Sequence, residues 1–384
     1  MNTKYGLICL SKILQQENHD LNSFRGLSRK QFSEISSAEG EEKAISILGE
    51  DIVHNIELTV RIIDFCRESG IDHYRLNTAI FGIVSDPSFD INISDLPNYS
   101  HIEEGFKNIG RTSITKGVSL SIQPDKFCKL IDDDESVVER SIQELNFYSW
   151  FFDRIGAQEN VSSPILLHLN SQPHKDDHDA YCDFADRFFE NYKQLDAHTQ
   201  SRLVLKNADG GSWNAFGLFK YLHVYCYEEH DFGFPLAYNN LFDELNPSDI
   251  SGATVEQQVN IGAFHETWRG VVPVFTWSEP KSPGSRAHAK ELSQHIPDFG
   301  YQIKWEVDVT DKDIAILKLL GPDAPSRISA EELAKISRKK YRKVENNYNA
   351  LYESARRTNI ISQDGDVKFF QGEETKEVEE SEEE

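Results

Sequence analysis

Little in this chain could staple it covalently or anchor it in a bilayer. Five cysteines (Cys9, Cys66, Cys128, Cys182 and Cys226) are scattered over 384 residues without CxxC spacing, and an odd number cannot all pair within one chain. A disulfide scaffold is thereby excluded, and reduced thiols in a cytoplasmic setting are the expectation. No run approaches the roughly 18 consecutive apolar residues that span a membrane, and no basic-then-apolar leader opens the sequence. Basic residues are also scarce relative to acidic ones, 40 against 64, for a net charge of −24. Eight Glu and one Lys in residues 373–384 supply −7 of this and leave −17 on the rest. Such a surface repels a polyanion at long range, but screening over about 8 Å at physiological salt leaves room for a local basic groove.

What the chain does have is a succession of short apolar, β-branched-rich runs. Eight of them occupy residues 5–10, 74–78, 117–123, 162–170, 202–207, 234–239, 272–277 and 303–307, several ending on a polar residue such as His168. Buried parallel strands read this way because both of their faces are covered. Helical periodicity fills the intervals, at 51–69, 136–155, 179–195, 213–227, 254–269, 286–295 and 311–320. Gly70 and Gly156 stand where the first two of these helices should stop. Strand–helix alternation sustained eight times predicts an α/β fold, a (β/α)8 TIM barrel over residues 1–320, whose chemistry would lie where the strands end.

Past Gly321-Pro322 the character changes. Ser329-Ala330-Glu331-Glu332 reads as a capping box, and six of the nine residues 335–343 are basic. Residues 321–370 are therefore expected to form a small basic helical appendage, with Lys339, Lys340, Arg342 and Lys343 as candidate DNA contacts; a solvated helix face balancing the acidic tail is the alternative. Residues 371–384 are too charged to bury a core and are expected to be disordered.

The order of the motifs resembles the UV damage endonuclease family. Asn55-Ile56-Glu57-Leu58 comes first, then Tyr74-Arg75-Leu76, Ser141-Ile142-Gln143-Glu144-Leu145, Asp153-Arg154-Ile155-Gly156 and Leu166-Leu167-His168. Arg202–Asn207, Thr267-Trp268, Ala287-His288 and Glu306 follow in unbroken order. The resemblance implies a TIM barrel that nicks damaged double-stranded DNA beside ultraviolet photoproducts, using manganese or another divalent metal held at the strand ends. Of the ligand positions it implies, His168, His288 and Glu306 are present, and Asp86 stands near a further one. The rest depart. The family's His-Pro-x-Gln-Tyr reads Gln123-Pro124-Asp125-Lys126-Phe127, its fifth-strand Glu is Lys206, its Asp-x-x-His-His aligns with Asn239-Asn240-Leu241-Phe242-Asp243, and its Pro-Lys-x-His with Pro273-Val274-Phe275-Thr276.

An ammonium about 4 Å from a divalent cation is repelled by several kcal/mol even at an effective dielectric near 20. The expectation is therefore a remnant site (His168, His288, Glu306, Asp86) that holds no full metal cluster. Lys206, His168 and Glu306 are the candidate catalytic groups, with a buried Lys206–Glu306 salt bridge or a phosphate-anchoring Lys206 as readings. Gln123, Lys126 and Phe127 are candidate DNA contacts, since an aromatic beside a cation suits stacking on an unstacked base. Three functions stay open: a repair endonuclease, a non-catalytic DNA- or protein-binding barrel, and a metal-independent enzyme on a small molecule.

Overall fold

The computed structural model describes residues 3–169, 172–173, 177–247, 257–297 and 299–322. Each of the eight apolar runs contains a strand: β1 (Lys4–Ile8), β2 (His73–Arg75), β3 (Ser119–Ser121), β4 (Ile165–His168), β5 (Leu203–Lys206), β6 (Leu236–Ala237), β7 (Val274–Trp277) and β8 (Lys304–Val307). The helices are α1 (Lys12–Gln16), α2 (Arg29–Glu39), α3 (Glu41–Glu68), α4 (Tyr99–Lys116), α5 (Glu135–Arg154) and α6 (His178–Tyr192). After them come α7 (Ala197–Arg202), α8 (Ala215–Leu218), α9 (Cys226–His230), α10 (Asn240–Leu245), α11 (Gln257–Glu266) and α12 (Asp313–Leu320). A π-helical stretch, Phe219–Tyr225, joins α8 to α9.

All strand pairs are parallel. One sheet runs β3-β2-β1-β8-β7 and the other β4-β5-β6. Isolated parallel bridges, Ile122 with Ile165 and Asn239 with Thr276, link the two sheets beyond β3 and before β7. The fold is thus α/β with eight parallel strands and helices between them. Strand residues that face outward are apolar and pack under the helices. On β7 and β8, for example, Phe275, Trp277 and Trp305 meet edge to face with ring centroids 5.3 to 5.8 Å apart. Phe81 contacts Phe106, Phe147 and Phe151, seaming α4 and α5 to the turn after β2.

Several elements differ from expectation, and the short helices α1, α7 and α10 were not among those expected. The helix predicted from residue 51 begins at Glu41, where two glutamates in its first turn complement the helix dipole. Helices α2 and α4 were not predicted; α2 buries Phe32 alone, too little to give a periodic signal. The helix predicted at 286–295 does not form. Pro283 and Gly284 turn the chain just before it, and its backbone groups are used in an antiparallel bridge between Pro280 and His288, with Ala289 N–H donating to the Glu279 carbonyl at 2.7 Å. The predicted appendage and acidic tail lie outside the described residues.

Helix α4 crosses the end of α5 closely enough that a Cβ on Gly110 would sit 1.7 Å from the Ile155 carbonyl oxygen. Gly110→Ala should therefore lower the unfolding free energy in urea by about 2–3 kcal/mol. Gly26→Ala, whose added Cβ meets nothing within 4 Å, should change it by less than about 0.5 kcal/mol.

Candidate functional site at the carboxyl ends of the strands

Residues two apart on a strand share a face. This alternation turns His73 and Arg75 on β2, Ser119 and Ser121 on β3, Thr276 on β7 and Glu306 on β8 toward one interior, where Lys206 ends β5. Glu306 is its centre and is fully buried. Glu306 Oε2 lies 3.1 Å from Arg75 Nη1 and accepts from Thr276 Oγ1 at 3.3 Å. Its Oε1 accepts from Ser121 Oγ at 2.9 Å and lies 3.4 Å from His73 Nε2. Gly6 on β1 is in register with both His73 and Glu306. A Cβ there would come within 2.9 Å of His73 Cδ2, so ring and carboxylate meet across β1 because residue 6 has no side chain.

Lys206, only 2% exposed, completes the cluster from the opposite side. Its Nζ donates to Thr276 Oγ1 at 2.7 Å and to Gln123 Oε1 at 3.5 Å, and Arg75 Nη1 donates to the same Gln123 oxygen at 2.6 Å. The expected Lys206–Glu306 salt bridge is therefore not a direct one. The Thr276 hydroxyl stands between them, accepting from the ammonium and donating to the carboxylate, and Glu306 takes Arg75 as its ion partner. Asp308, partly exposed above this layer, gathers Lys312 Nζ at 3.6 Å, His288 Nε2 at 3.7 Å and Arg75 Nη2 at 3.9 Å.

The electrostatics follow from burial and these partners. Burial by itself would raise the Glu306 pKa, but Arg75, then His73 and Lys206, hold the carboxyl well below the usual range. Burial, reinforced by Arg75, pulls the Lys206 amine down to about 8. His168, in register with Lys206 at the end of β4, is pushed down to about 3 by burial and by Lys206. Its ring lies 5.6 Å from that of Phe242.

The four residues expected as remnant metal ligands are not brought together. Glu306 is enclosed by the donors just named. His288 begins no helix; its Nδ1 contacts Ser278 Oγ at 2.7 Å. Asp86 lies in a separate place, ion-paired with Arg29 at 2.6 Å and bonded by Ser88 Oγ at 2.8 Å. There it shares with Phe127, Asp125 and Glu144 the lining of a cavity of about 520 Å³, in which burial raises the Glu144 carboxyl to about 7. Among the described residues one set of potential ligand atoms does converge, Asp153, Glu159 and His198. They lie in the last turn of α5, in the connection toward β4 and in α7, and the charges are already matched: each His198 nitrogen faces a carboxylate and Arg202 pairs with Asp153 at 2.7 Å.

Gln123 belongs to the ion cluster, half-buried, whereas Lys126 and Phe127 project into solvent. Phe127 is 72% exposed, with Lys126 Nζ 5.2 Å from its ring centre. Lys339, Lys340, Arg342 and Lys343 lie outside the described residues. Sequence reasoning gave no role to Arg75, His73, Thr276 or Asp308. Each sits two residues from another polar group on an otherwise apolar strand or just beyond one, and that spacing was the available signal.

The family description UV-endonuclease UvdE matches residues 3–340. A protein from Acanthamoeba polyphaga mimivirus is 24% identical over 333 residues, 82% of this chain and 90% of that one. The UV DNA damage endonuclease of Bacillus cereus strain Q1 is 23% identical over 317 residues, 78% of this chain and 89% of its own. Among solved structures, the crystal structure of SacUVDE superposes with a TM-score of 0.63 at 18% identity, covering 88% of this chain and all of that one.

Replacing Arg75 by Met should leave Glu306 charged, buried and without its main counter-ion, at a cost of about 3–5 kcal/mol in urea unfolding; the double variant Arg75→Met with Glu306→Gln should recover most of it. Because the folded carboxyl titrates below its unfolded counterpart, its contribution is complete above an unfolded pKa of about 4.3 and fades as pH falls. Acid unfolding followed by tryptophan fluorescence should therefore begin at higher pH in Arg75→Met than in the wild type. An unshifted acid limb would show that Arg75 does not set the charge of Glu306.

Proposed function

The chain belongs to the UV-endonuclease UvdE family, and from that membership we propose that it is a DNA-repair protein that engages damaged double-stranded DNA over the carboxyl ends of its strands without the family's metal cluster. The eight strands are read as one closed (β/α)8 barrel, a reading supported by the Ile122–Ile165 and Asn239–Thr276 bridges between the two sheets. Enzymes of that architecture work at the strand carboxyl ends.

One observation carries the metal-free reading: the Glu306 carboxylate is already held by Arg75, Ser121, Thr276 and His73. A divalent cation would have to displace a guanidinium and lie near a second fixed cation, Lys206. Oxygen and imidazole ligands that favour such ions are here replaced by groups with protons to donate. The donor set does not fit a polynuclear centre, and no hydrolytic step is assigned to one.

DNA engagement is assigned to Lys126 and Phe127, exposed side by side a few residues beyond Gln123 of the cluster. An exposed aromatic stacks on an unpaired base and a neighbouring ammonium meets phosphate. Lys339, Lys340, Arg342 and Lys343 would add further phosphate contacts from the appendage. The protein elsewhere is acidic, so binding depends on these local groups and not on the overall field.

Fluorescence anisotropy with a duplex carrying one cyclobutane pyrimidine dimer, against the undamaged duplex, tests this. Affinity should favour the damaged duplex and be the same with and without EDTA. Phe127→Ala should weaken damaged-duplex binding by roughly tenfold, the loss of about 1–3 kcal/mol of stacking. Equal affinity for the two duplexes, or an unchanged Phe127→Ala, would count against the proposal.

A further inference from the structure

Lys206 is placed unlike a lysine that serves only to neutralise a carboxylate. Among the described residues its Nζ has no carboxylate within bonding distance, and it donates to two neutral oxygens, those of Thr276 and Gln123. The guanidinium of Arg75 donates to the same Gln123 oxygen and so stands close by. An amine taken out of water beside a second cation is the arrangement that frees a lysine for attack on carbonyl carbon. The amine is also near an exit. Gln123 and His168, the latter in register with Lys206, are both only half-buried, so the amine lies one side chain beneath the surface.

We propose that Lys206 is an amine nucleophile that captures the ring-opened aldehyde of an abasic deoxyribose in DNA and cleaves the strand by elimination, without a metal. The substrate class rests on the DNA-binding reading above; the nucleophile rests on the geometry of the amine. The Nζ lone pair attacks C1′, the carbonyl oxygen departs as water after taking up two protons, and an iminium remains. His168, in register with Lys206 at the neighbouring strand end, is the imidazole placed to accept the acidified C2′ proton. The electron pair released at C2′ forms the C2′–C3′ double bond as the C3′–O bond breaks, and the 3′-phosphate leaves as an anion. Water then hydrolyses the imine and returns the amine. No oxidant or reductant is consumed.

The test is reductive trapping. The full chain is incubated with a duplex carrying one abasic site in sodium borohydride, which delivers hydride to the imine carbon and fixes the complex as a secondary amine. The adduct is then located by peptide mass spectrometry. Binding to a duplex carrying the tetrahydrofuran analogue, which has no carbonyl, is measured in parallel. The proposal predicts an adduct on Lys206 that disappears in Lys206→Arg, which keeps the positive charge but not the amine. The wild-type map decides the matter should that variant fail to fold. An adduct on Lys126, the chain terminus or any other amine overturns the proposal. No adduct despite binding to the analogue overturns it while leaving the DNA reading intact, and absence of both overturns the two together.

Discussion

The contact between Arg75 and Glu306 is the constraint around which the interior is arranged. Two opposite charges taken out of water lose several kcal/mol of hydration each, and recover it only if every remaining lone pair and proton is used. The structure meets that demand side chain by side chain. Thr276 and Ser121 add a donor to each carboxylate oxygen, Gln123 takes up a guanidinium proton, and Gly6 gives His73 the room to reach across β1. Lys206 then joins through Thr276. Remove the arginine and the carboxylate is stranded; add a divalent ion and the arginine is.

On the proposed metal-free reading, the strand ends stay polar because the counter-charge to Glu306 comes from side chains of β2 and β5. Arg75 and Lys206 are fixed by covalent attachment and cannot be lost to a chelator. Several of their protons are already given to Glu306, Gln123 and Thr276.

Most of the scaffold was legible in the sequence, because buried parallel strands leave continuous apolar runs and each of the eight was found within a few residues of its place. Lys206 and Glu306 were legible too, as charges at the ends of such runs. Their relation was not. A pairwise view joined the two as a salt bridge, whereas the actual partner, Arg75, lay inside the Tyr74-Arg75-Leu76 motif and was taken for part of a strand. Thr276 was read only as a missing imidazole, although its hydroxyl relays one charge to the other. The helix predicted at 286–295 failed for a local reason, since the bridge from His288 back to Pro280 used its backbone. Contacts between residues some 200 positions apart depend on register, which no local pattern carries.

The central claim is that internal cations have taken the place of metal at the strand ends, and a manganese titration of the protein followed by electron paramagnetic resonance tests it most directly. If Arg75 and Lys206 hold that space, the six-line signal of free Mn²⁺ grows in proportion to the ion added at near-neutral pH, in the wild type and in Glu306→Gln alike. A signal suppressed until two or more ions per chain have been taken up, with that uptake lost in Glu306→Gln, would contradict the account.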